Sequence, residues 1–146
     1  MNSKILALYK QLRVTTLNEQ ESKTEDEKRF YYQALDSFLA RETCAITIGI
    51  SEMVLYIIEE QDIIKKKDLS RIDYCEIILC KNLSIAIRTE FACKTKEARI
   101  NFRAALEERL KRETFQMSVV ILQMLLYIIG KEKVCEMEVS NKKRRL

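Results

Sequence analysis

A stretch of 36 residues occurs twice in this chain, and the second copy starts 71 residues after the first. Lys23 to Ile58 and Lys94 to Ile129 agree at fourteen of those 36 positions. The agreements are Lys-Thr at the start, Ala-Leu and Leu in the middle, then Arg41-Glu42-Thr43 against Arg112-Glu113-Thr114. They end in Leu55-Tyr56-Ile57-Ile58 against Leu126-Tyr127-Ile128-Ile129. Internal self-similarity of this kind means one structural unit used twice, and it constrains the fold before any local pattern does. The reading divides the chain into a first unit at 1–68, a second at 69–140 packed with it as one domain, and a basic flexible tail at 141–146.

Backbone composition narrows the unit to helices. Proline is absent from all 146 residues and only two glycines are present. Hairpins depend on such turn residues, whereas helices are weakened by them. The expectation is an all-α bundle of about six helices in two repeated halves. The apolar periodicity agrees. Tyr31, Leu35, Leu39, Ile46, Ile50, Met53 and Ile57 step by threes, fours and one seven, and the second copy keeps the same lane from Phe102 to Ile128. The lane makes each unit a short helix, a connector and a long helix broken or kinked at Arg-Glu-Thr. The long central helices are expected to form the core, with the short ones on the flanks.

Helix ends are readable in places. Thr24 with Glu27 has capping-box spacing, with three acids in the first turn. Ser70 with Asp73 has the same kind of spacing. Ser3 to Leu12 reads as a short helix whose face is Ile5, Leu8, Tyr9 and Leu12. Asn18 to Ser22 reads as loop, and Lys65 to Asp68 as a charged turn. The following helix is given the face Ile72, Cys75, Glu76, Leu79 and Leu83. If Arg-Glu-Thr is a joint, Thr43 and Thr114 are the expected caps of the next helix. Gly130 is a natural stop, and the helix frays beyond it.

The residue inventory excludes several chemistries. The chain has no histidine, so a zinc finger of the Cys-His type and any histidine-based triad are ruled out. Two glycines cannot build a phosphate loop. The five cysteines have no Cys-x-x-Cys spacing and read as reduced, buried small residues. No catalytic, cofactor-binding or metal-binding residue is assigned, and no cofactor is implied. Glu42 and Glu113, two acids in matching places, are the one pair considered for enzyme chemistry. Local pairing with Arg41 and Arg112 at a kink or helix end accounts for them without it. Tyr56 and Tyr127 read as core or interface tyrosines.

The formal net charge is +4. Lys142, Lys143, Arg144 and Arg145 supply all of that excess, so residues 1–141 are formally neutral (+4 minus 4). Such a run suits nuclear targeting or a loose, salt-sensitive contact with nucleic acid. No apolar run reaches the roughly eighteen residues of a membrane span, and the N-terminus does not read as a signal peptide. A nuclear or cytoplasmic location is expected. Between Cys44 and Ile58 only Thr47, Ser51 and Glu52 are plainly polar. That apolar excess favours a non-enzymatic interaction module, an adaptor or subunit of a nuclear or virus-related assembly, whose partner is another protein or a second copy.

Overall fold

The computed structural model describes residues 3–61 and 71–145, and side chains as far as residue 130. Six α-helices and no strand occur among the described residues: α1 Ser3–Glu21, α2 Glu25–Arg41, α3 Ala45–Glu59, α4 Tyr74–Ala92, α5 Lys96–Arg112 and α6 Gln116–Arg145. Every helix start recurs 71 positions on: 3 and 74, 25 and 96, 45 and 116. The ends of α1 and α2 recur with the same offset in α4 and α5.

The bundle core is made by α1, α3, α4 and α6. Its fully buried side chains include Tyr9, Leu12, Met53, Ile57, Leu83, Ile87, Met124, Ile128 and Ile129. The helices do not pair chiefly within their own halves. α1 packs most extensively on α6 and α4 on α3, with smaller α1–α3, α4–α6 and α1–α4 contacts. Exchanging α1 with α4, α2 with α5 and α3 with α6 reproduces this contact pattern. Each Leu-Tyr-Ile-Ile segment therefore meets the first helix of the opposite half.

α2 and α5 are flanks. Neither has a buried residue, and each lies mainly along the helix that follows it, α3 or α6. This reverses the expected roles: the helix read as short belongs to the core, and the first part of the long one lies outside it. Tyr31, Leu35 and Leu39, with Phe102, Leu106 and Leu110, are only half-buried. An apolar stripe three residues deep on an otherwise charged helix covers a neighbour without becoming interior.

Other local expectations also change. The Asn18–Ser22 stretch is not loop, because α1 continues to Glu21. Gln20 in that stretch and Thr16 one turn before it face the interior, and Thr15 Oγ donates to the Gln11 and Leu12 carbonyls, so apparent polarity hides a helical face. Asp73 is itself the N-cap of α4, with Glu76 completing the box. Ser70 and the turn read at Lys65 to Asp68 lie outside the described residues. The buried face of α4 is Glu76, Cys80, Leu83, Ile87 and Phe91, and Cys75 is exposed. Cys44 and Cys93 are exposed as well, leaving Cys80 as the buried thiol among the described cysteines. α6 is helical past Gly130 and through Arg145, the stretch read as a fraying end and a tail. A glycine inside a helix lowers its propensity without ending it when neighbouring turns continue the ladder.

Candidate functional site

The two repeated motifs build joints. Lys23 Nζ lies 5.0 Å from the Tyr31 ring centre and 3.7 Å from Glu19, and Lys94 Nζ lies 5.1 Å from Phe102 and 3.7 Å from Glu90. Each lysine thus ties the end of one helix to the aromatic face of the next. Thr24 caps α2 by accepting from the Glu27 N–H while Glu27 accepts from the Thr24 N–H. Thr95 accepts from the Ala98 N–H at the corresponding place.

Arg-Glu-Thr straddles a break between helices: the arginine ends one helix, and the three residues after it, Glu42 to Cys44 and Glu113 to Phe115, are non-helical. Arg41 and Arg112 are exposed last residues of α2 and α5, and Arg112 lies 3.8 Å from Glu108. Glu42 Oε1 accepts from the Thr43 and Cys44 N–H groups, both at 2.9 Å. Glu113 Oε1 accepts from the Phe115 N–H at 3.1 Å, with Arg109 3.8 Å from its other oxygen. The N-caps expected at Thr43 and Thr114 do not form: Cys44 occupies the cap of α3 with no side-chain bond, and α6 begins only at Gln116. The preceding glutamate instead accepts from N–H groups of the break itself, ahead of the first helical turn. Glu42 and Glu113 are engaged separately, each at its own joint.

A second constellation escaped the sequence reading. Tyr56 donates to Asp73 Oδ2 at 2.7 Å. Asp73 Oδ1 accepts from the Glu76 N–H, and Glu76 Oε1 accepts from the Asp73 N–H. Arg13 Nη1 then reaches from α1 to both Glu76 oxygens, at 3.0 and 2.9 Å, and to the Arg71 carbonyl at 3.0 Å. Arg13 and Glu76 are each only 2% exposed. The Tyr9 hydroxyl is buried beside this pair. Burial first, then the Glu76 charge, raise its pKa. Burial and the Asp73 carboxylate likewise raise that of Tyr56. Burial and Glu76 push the Cys80 thiol up to about 12. The cluster joins α1, α3 and α4 across the two halves.

Tyr127 is half-buried in α6, and the position 71 before it is that of Tyr56. The counterpart of Asp73 would be Asn2, outside the described residues. Lys142, Lys143, Arg144 and Arg145 lie on the last turns of α6, and their side chains are outside the description. Clefts open at the surface among the described residues. One of about 340 Å³ is lined by Gln20, Lys28, Arg29, Tyr32 and Glu59, and one of about 480 Å³ between α1 and α6 by Val14, Val119, Val120 and Gln123. Among the described residues no group of three or more His, Cys, Asp or Glu is placed to hold a metal ion. No helix there is long and apolar enough to cross a membrane. The chain matches no known family model, and comparison with curated proteins and with solved structures finds no significant match.

Proposed function

We propose that this protein is a non-enzymatic protein–protein interaction module, acting as an adaptor or subunit of a nuclear or virus-related assembly. In this reading it is built from a three-helix unit used twice, at 1–68 and 69–140. One observation carries it: α2 lies outside the core and exposes Phe30 at 74% and Phe38 at 44%. Aromatic side chains left in water on a flank are what a partner surface requires, since they gain most from being covered. α5 has a different outer face. Asn101 and Arg109 replace the two phenylalanines, so duplicated arms present unlike surfaces and suit unlike partners.

Two substitutions test the reading. Phe30→Ser with Phe38→Ser is expected to leave helicity and melting nearly unchanged while removing partners recovered by proximity labelling in cells. Unchanged partners in the folded variant would remove α2 as the contact surface. Sedimentation over a concentration range separates a second copy from a different protein.

A nucleic-acid reading is favoured by one further feature. α5 has six Lys and Arg against three Glu, a net +3, and the basic run at 142–145 lies on the same half. Contacts of that kind weaken steeply with salt. Truncation after Asn141 is expected to abolish any binding to duplex DNA or RNA that rests on the basic run.

A further inference from the structure

The exchange of halves that reproduces the helix contacts does not reproduce the buried ion pair. Shifting Arg13 forward by 71 gives Ser84, and shifting Glu76 back gives Ile5. Both are buried, at 5% and 3%. Ser84 turns its hydroxyl to the Cys80 carbonyl of its own helix, and Ile5 belongs to the apolar core. One side of the α1–α4 contact is therefore charged and its counterpart is not. The rest of the α1 face departs in the same sense: Tyr9, Thr16 and Gln20 correspond to Cys80, Ile87 and Phe91, all buried.

We infer that the Arg13–Glu76 pair makes each half select the other and reject a second copy of itself. Two halves with the same backbone plan are equally suited to pair like with like between two chains. In such an arrangement Arg13 would lie opposite Ile5 of another copy, and Glu76 opposite Ser84 of another copy. A buried charge without its counter-charge is far more costly than either the ion pair or an apolar pair. The pair therefore costs nothing decisive in the correct pairing and penalises both wrong ones. A single polar or ionic group that fixes which helices associate is the best-attested use of such groups. The inference concerns the interior α1–α4 surface and stands apart from the partner reading for α2.

Cys80 supplies the readout in the full-length chain. Tyr9 corresponds to Cys80, and both are fully buried in the same core cluster. Like-with-like pairing would set Cys80 beside Cys80 of a second chain. The comparison is between the natural chain and Arg13→Ser with Glu76→Ile, each refolded at high concentration with oxidised glutathione. The glutathione disulfide accepts the two electrons released as two thiols join and lose their protons. Mass spectrometry then counts the Cys80–Cys80 linked peptide. The expected result is a folded double variant that yields at least tenfold more of this peptide than the natural chain. Equal yields from the two would overturn the inference. A reversed pair, Arg13→Glu with Glu76→Arg, is expected to fold and to keep the yield at the natural level. If the double variant fails to fold, the reversed pair decides: a high yield from it overturns the inference, and so does its own failure to fold.

Discussion

Arg13 and Glu76 stand 63 positions apart in the chain and 2.9 Å apart in the folded protein. Removing one partner strands the other charge in the interior. Arg13→Ala and Glu76→Ala are each expected to lower unfolding stability by about 3–5 kcal/mol, measured by chemical denaturation. Arg13→Met with Glu76→Leu should recover most of that loss, because an apolar pair has no charge to desolvate. The thiol of Cys80 makes a second test at this scale. Its folded pKa of about 12 lies above the ordinary 9.0. Between those values the unfolded chain has already lost the proton that the folded chain retains. Stability is therefore full below pH 9 and falls as pH rises toward 12. Cys80→Ala should be less stable at neutral pH but should lose stability less steeply in alkali, as thermal melts would show. None of this pairing was legible in the sequence. Tyr9, Arg13, Thr16 and Gln20 lie on one helical face, yet three of them are residue types normally found in water. Gln20 falls in the polar Asn18 to Ser22 stretch that reads as loop, and the partner that stabilises Arg13 is on another helix.

At the scale of elements, the sequence was most readable where the chemistry is local. The Thr24–Glu27 box needs only residues three apart, and it forms as its spacing implies. The Arg-Glu-Thr joint was visible as an irregularity, but its cap was assigned to threonine. The glutamate instead folds over the break and accepts from the Thr43 and Cys44 N–H groups, ahead of the helix. Thr24→Ala should cost about 1 kcal/mol. Asp73→Ala should cost more, since Asp73 also accepts from Tyr56 and holds the box that positions Glu76. Denaturation midpoints of the two variants give the comparison. Gly49 has a similar local logic between α3 and α4. A Cβ there would come within 3.2 Å of Leu83 Cδ1 and 3.5 Å of Leu83 Cα. The corresponding residue in α6 is Val120, which lines the cleft between α1 and α6. Gly49→Val is therefore expected to push α4 from α3 and lower the melting temperature, and Val120→Gly to lower it by removing a buried side chain from the core.

For the molecule as a whole, helical class and the paired Leu-Tyr-Ile-Ile segments were legible because apolar periodicity reports burial directly. Which helices are interior was not, since a half-covered stripe and a fully covered one have the same spacing. Met53 and Met124 are both completely or almost completely buried at corresponding places. Met53→Asp or Met124→Asp should abolish the cooperative melt followed by circular dichroism.

The packing of α1 on α6 also sets a schedule for synthesis. α1 leaves the ribosome with its main partner still more than ninety residues away in the message. Until Gln116 onward has emerged, the apolar face of α1 lacks the helix that covers most of it. Contacts of such long sequence separation form late and leave early chains open to aggregation. Stalled nascent chains ending at Glu113 are expected to be digested rapidly in limited proteolysis. Chains stalled after all of α6 has cleared the exit tunnel should resist. Any helper that binds nascent polypeptides would find a long window on α1, made well before the helix that covers it.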